Sequence, residues 1–166
     1  MAKRKIVMLG DGILREKAKP VTEFNARLGE LLDDMIETMF DAKGVGLAAP
    51  QVGVLRRVAV VTVDNGEKIY EIVNPVIVKQ SGSQIEQEGC LSVPERNGYV
   101  ERPKKVVIEA QDRDGKPVKI ISDDPYLTVA FCHEIDHLDG ILYIDKILKD
   151  HKVKVKSNKH KGEREV

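Results

Sequence analysis

The sequence predicts an α+β fold. Three observations carry that reading: an amphipathic helix pattern near the start, valine- and isoleucine-rich segments through the middle, and a second apolar helix pattern late in the chain. Helix, then strands, then helix is not the alternation of βαβ units. A length of 166 residues suits one domain, given the roughly 100–200 residues typical of one.

The first helix is read from Leu28, Leu31, Leu32, Met35, Ile36, Met39 and Phe40, which recur at three- and four-residue steps. Thr22 or Asn25 offers the N-cap and Gly44 a C-terminal stop. Strands are expected at residues 57–63 and 69–78, the second interrupted by Asn74-Pro75, a break or edge position. Residues 105–110 and 118–121 flank Asp112-Arg113-Asp114-Gly115 and read as a hairpin. The second helix opens at Ser122-Asp123-Asp124-Pro125, with an acidic cap and proline in its first turn. It buries Leu127, Ala130, Phe131, Ile135 and Leu138 and ends at Asp139-Gly140. Beyond residue 148 the segment 149–166 carries seven Lys/Arg against three Asp/Glu. Its alternation of Lys and Val over 152–156 is read as a short edge strand or a disordered tail.

Composition narrows the function classes. Charged residues make up 33% and hydrophobic ones 42%, an ordinary soluble balance. Met1-Ala2-Lys3-Arg4-Lys5 has the charge of a leader, but the apolar run from Ile6 to Leu9 stops at Gly10, short of the roughly 7–15 residues an export segment needs. No segment reaches membrane-spanning length. Two cysteines, Cys90 and Cys132, make no disulfide framework. The expectation is a cytoplasmic protein with neither a membrane nor a DNA partner, and with contact to acidic surfaces or RNA open to the basic tail.

His133-Glu134-Ile135-Asp136-His137 carries the chemistry. Residues four apart share a helix face, with Cβ atoms about 5–6 Å apart, so two imidazoles at that spacing can hold one metal ion. Glu134, one residue after the first ligand, can act as general base on a water held there. A catalytic site of this kind needs a third protein ligand. The downstream choices are His151, His160, Glu163 and Glu165, all in the basic tail. Upstream stands Cys90, in Glu88-Gly89-Cys90-Leu91-Ser92. Cys132 points about 100° away from His133 on a helix and is read as core. A third segment, residues 44–51 (Gly-Val-Gly-Leu-Ala-Ala-Pro-Gln), is small and apolar, with glycines that let bare backbone approach a substrate. Gln51 ends it with an amide able to donate to a developing oxyanion.

In their order and spacing, residues 44–51, 88–92 and 133–138 resemble the peptide deformylases, and the similarity extends over most of the chain. The resemblance implies a compact single domain, with mixed, mostly antiparallel β-sheets around a central metal-binding helix. Residues 1–148 would be its catalytic domain. It implies a metallohydrolase that removes the N-formyl group from the N-terminal methionine of nascent polypeptides and releases formate. Carried over by position, Cys90, His133 and His137 are the metal ligands and Glu134 the general base and acid. Gln51 and the backbone N–H of Leu91 form the oxyanion hole. Gly46 bonds the substrate backbone, and Val45, Glu88, Val129, Ala130 and His133 lie at the methionine pocket. The implied cofactor is one divalent ion, natively ferrous iron, with nickel, cobalt or zinc able to substitute. The implied partners are formylmethionyl nascent chains, with ribosome proximity through the tail lysines.

Three departures stand out. Cys132 replaces a frequent glutamine, adding a second thiol open to oxidation. Asn97, beside Arg96, falls where some members carry an arginine at the cleft rim. The tail lacks the apolar stripe of a docking helix. Two other classes share part of the pattern. A zincin-like protease would need a tail ligand, and a non-catalytic metal module would need a closed four-ligand site.

Overall fold

The computed structural model describes residues 2–63 and 66–149. In chain order these form α1 (Ala26–Asp41), β1 (Gly46–Ala48), β2 (Val58–Val63), β3 (Lys68–Ser81), β4 (Gln84–Cys90), β5 (Val93–Arg102), β6 (Lys105–Gln111), β7 (Pro117–Ser122) and α2 (Pro125–Leu138). Single 3-10 turns at Gly12–Arg15, Ala49–Val52 and Tyr143–Asp145 join them. The fold class is α+β. The tail reading at 152–156 lies outside the described residues.

Asn25, not Thr22, caps α1: its side-chain oxygen accepts from Leu28 N–H at 3.1 Å. The stop differs from expectation. Lys43, at φ 60, takes the left-handed position, with Lys43 N–H donating to Phe40 C=O and Gly44 N–H to Met39 C=O. That is the Schellman pattern. Gly44 is glycine for a different reason: a Cβ there would lie 2.7 Å from Leu91 Cδ1.

The larger sheet runs β1-β2-β3-β6-β7, and β4-β5 form a separate two-stranded sheet. All five strand pairs are antiparallel. The parallel content among the described residues is an isolated bridge, Lys19 to Arg56. β2 is valine-rich without a buried–exposed alternation because both its faces are covered. Ala59 and Val61 pack with Phe131, Ala130, Ile135 and Leu138 of α2. Val58 and Val60 face Leu28, Leu32, Met35 and Met39 of α1. Asn74 does not end β3. It sits at φ 52, where the register to β6 shifts between Val73 and Val76, a bulge that keeps the strand going. Its amide donates to Val21 C=O and its oxygen accepts from Val21 N–H.

α2 threads the interior, with ten of its 14 residues buried. Asp124 caps it, accepting from Tyr126 N–H at 2.9 Å, and Gly140 follows its end at φ 75. A Cβ on Gly140 would stand 2.4 Å from Arg15 C=O. Gly140→Ala combines that clash with an unfavourable φ. It is expected to destabilise the protein by more than about 1 kcal/mol, measured by thermal or urea unfolding.

The hairpin β4-β5 is the element the pattern does not announce. Its buried positions include Glu88, Asn97 and Arg102 as well as Val93 and Val100, so apolar alternation is weak. β4 delivers Cys90 to the face of α2.

Candidate metal centre

His133 and His137 sit on one face of α2 with Nε2 atoms 3.2 Å apart. Cys90, at the end of β4, places Sγ 3.4 Å from His137 Nε2. All three residues are buried, and their ligand atoms lie within 4.8 Å of one another. A tetrahedral site with bonds of about 2.0–2.1 Å to nitrogen and about 2.3 Å to sulfur separates two nitrogens by about 3.3–3.4 Å. It separates nitrogen from sulfur by about 3.5–3.6 Å. The His133–His137 and Cys90–His137 separations lie close to that spacing, and a soft thiolate with two imidazoles suits a transition-metal ion. Burial, with His133 and Arg102 nearby, holds the His137 pKa well below its usual value, leaving a neutral ring suited to ligation.

Beside these donors, buried polar atoms lack hydrogen-bond partners. Both carboxylate oxygens of Glu134 and Nδ1 of His137 are buried with no hydrogen-bond partner, an arrangement that is rare unless an ion or water completes it. Burial is the main cause that pushes the Glu134 pKa well above the ordinary carboxylate value, helped by the charges of Glu88 and Asp136 against that of Arg102. A divalent charge in the cage opposes that shift.

The residues read from the other two segments converge here. Gln51 rides the 3-10 turn after β1, fully buried. Its Oε1 accepts from Ala48 N–H at 3.0 Å. The amide nitrogen is thereby aimed at Ser92 Oγ, 3.1 Å away, and Cys90 Sγ, 3.6 Å away. Leu91 follows Cys90 in the turn between β4 and β5, its side chain in the α1 cluster. Gly46 explains itself by contact: a Cβ there would lie 2.5 Å from Glu134 Oε2. Gly46→Ala is expected to displace the Glu134 carboxylate and lower kcat by about 100-fold, the scale of a misplacement near 1 Å. Kinetics and a structure of the variant check it.

Of the residues expected at the methionine pocket, Val129, Ala130 and His133 lie on α2. Val45 packs against the cluster containing Ala130, while Val129, though buried, belongs to none of the apolar clusters. A cavity of about 580 Å³ opens beside Gly44 and Val45, walled also by Phe40, Thr62, Tyr126 and Leu127. Of the expected set it touches Val45 alone. The Glu88 carboxylate faces His133 Nδ1 at 3.0 Å and pairs with Arg102. Burial alone would raise its pKa, yet these partners hold it down at about 2.

Two departures read differently in three dimensions. Cys132 is buried, and burial pushes its thiol up to about 11. Burial thus disfavours the thiolate, the reactive form of the side chain. Asn97 is also buried rather than at a rim, accepting from Gln87 Nε2 at 2.5 Å, whereas Arg96 is exposed. Sequence reasoning missed Arg102 and Tyr143, and gave Asp136 of the histidine motif no role. The Tyr143 ring stacks on His133 at 5.9 Å, and its hydroxyl donates to Arg96 C=O. No spacing in the chain announces Arg102 or Tyr143.

Comparison with known proteins converges on one family. The peptide deformylase of Heliobacterium modesticaldum is 53% identical over 150 residues, covering 90% of this chain and 97% of that one. That of Caldicellulosiruptor bescii is 54% identical over 149 residues, covering 90% and 88%. The crystal structure of a peptide deformylase from Legionella pneumophila superposes with a TM-score of 0.86 at 45% identity, covering 89% of this chain and 88% of that one. The Thermotoga maritima peptide deformylase gives 0.84 at 40% identity, covering 89% and 99%. The polypeptide deformylase family model matches residues 3–153, and with a donor set that fits one metal ion, the chain belongs to that family.

Proposed function

We propose that the protein removes the N-formyl group from the N-terminal formylmethionine of nascent polypeptides by metal-dependent hydrolysis, releasing formate. The observation that supports this most directly is the convergence of Cys90, His133 and His137 beside a fully buried Glu134 whose carboxylate has no hydrogen-bond partner. Residues 1–148 form the catalytic domain in this reading.

Bound by the three donors, a divalent ion would supply a Lewis acid and lower the pKa of water. Everything else falls to the chain's own groups. Glu134 takes the proton of the attacking water and returns it to the departing amine. Gln51, its amide held by Ala48 N–H, donates to the formyl oxygen as negative charge develops there, joined by the Leu91 N–H. Gly46 pairs its backbone with the substrate, and Val45, Val129, Ala130 and the stem of Glu88 receive the methionine side chain.

Membership in the family favours ferrous iron as the native ion, with nickel, cobalt or zinc as substitutes, and the Cys90 thiolate makes the site oxidisable. Cys90→Ala removes one of three ligands and is expected to lower metal content after dialysis at least tenfold while the fold is kept, read by elemental analysis and circular dichroism. The lysine-rich segment 149–166 gives electrostatic attraction to ribosomal RNA, consistent with action on nascent chains in the cytoplasm. Among the described residues no helix is long and apolar enough to cross a membrane. The function is tested by incubating anaerobically metal-loaded protein with a formylmethionyl peptide and following the newly freed α-amine. Catalytic amine release supports the proposal, and its absence from folded, loaded protein rejects it.

A further inference from the structure

Behind the metal donors lies a buried ionic network that the reaction itself does not use. Arg102 of β5 is 4% exposed. Its Nε donates to Glu88 Oε2 at 2.8 Å and its Nη2 to Glu88 Oε1 at 3.0 Å. The remaining arm, Nη1, donates to Asp136 Oδ2 at 2.6 Å, and Lys146 Nζ meets the same oxygen at 3.1 Å. Glu88 Oε1, shared with Arg102, is also the atom 3.0 Å from His133 Nδ1.

We infer that Arg102 is a positioning residue: its fork ties the Glu88 carboxylate of β4 to Asp136 of α2, so that Glu88 fixes the ring orientation of His133 and turns Nε2 toward Cys90 and His137. The geometry supports the chain of action link by link. A carboxylate held by one donor swings about that bond, whereas the bidentate contact fixes its plane. The third contact anchors the guanidinium to α2 itself, since Asp136 stands between the two histidines in sequence. Tyr143 stacked on His133 restrains the ring from its face, leaving Glu88 to set its rotation. Histidine ligands are commonly oriented by such outer carboxylates, and loss of an outer partner typically weakens metal binding by about 10–100-fold. Lysine cannot replace the fork, being a single point of charge.

The inference rests on the proposed metal site, and its test reads metal binding rather than turnover. Full-length protein loaded with Co²⁺ is titrated with a chelator while the cobalt–thiolate absorption is followed. Arg102→Met is expected to weaken cobalt binding about tenfold or more and to shift the absorption bands, with Arg102→Lys recovering part of the affinity. Arg102→Met leaves the Glu88 charge buried without its partner and can fail to fold. The double variant Glu88→Gln with Arg102→Met removes that charge, while Asp136 keeps Lys146. It is expected to fold and still bind cobalt weakly, because nothing then fixes residue 88. Wild-type cobalt affinity and spectrum in either folded variant would overturn the positioning role without touching the deformylase reading. Tight wild-type cobalt binding with no deformylation would instead overturn the function and leave this inference standing.

Discussion

Glu134→Gln is expected to lower kcat by about 10³-fold, within the 10²–10⁴ range for removal of a general acid–base group. The amide keeps the size of the carboxyl in a fully buried position but cannot accept a proton and pass it on. Metal content is expected to be unchanged, because the donor set is Cys90, His133 and His137. Stability should change little, since neither carboxylate oxygen has a partner to lose. The check pairs kinetics with elemental analysis on the same preparation. A variant within a few-fold of the parent would remove Glu134 from the proton-transfer role.

The second large effect is Gln51→Ala. Loss of one oxyanion donor typically raises the barrier by about 2.7–4 kcal/mol, or about 10²–10³ in kcat. An interaction made mainly in the transition state lowers kcat and kcat/KM together, with KM nearly constant. Gln51 also accepts from the buried Ala48 N–H, so the variant leaves that donor unpaired at a stability cost of about 1–3 kcal/mol. Steady-state kinetics below the melting transition separates the two. A rise in KM with kcat preserved would make Gln51 a ground-state binding group instead.

Both effects rest on residues legible in the sequence, Glu134 from local spacing and Gln51 from its segment's resemblance to the family. His133 and His137 need only a helix to meet, and Glu134 sits beside them in sequence. The two helices and the strands β2, β3, β6 and β7 were also legible, since burial against the sheet or core imposes period 3.6 or an apolar run. The hairpin β4-β5 was not, because its interior is partly ionic: Glu88 and Arg102 satisfy each other inside, and buried charge carries no apolar period. For the same reason the chain gave no sign of Arg102, nor of the ionic role of Asp136 within the histidine motif. Their partners are 14 and 34 residues distant in sequence, joined only when β5 folds over α2. Gly46 was assigned to substrate contact, and the structure adds the Glu134 carboxylate that occupies the space a side chain would need.

The most direct measurement is single-turnover formate release from a formylmethionyl peptide, using anaerobically purified full-length protein reconstituted with Fe²⁺ or Ni²⁺ and present in excess over substrate. Formate equal to the peptide supplied, formed with parent protein and about 10³-fold more slowly with metal-loaded Glu134→Gln, is the expected result. No formate from folded parent protein carrying one metal per chain would contradict the assignment of Cys90, His133, His137 and Glu134 to a deformylase site.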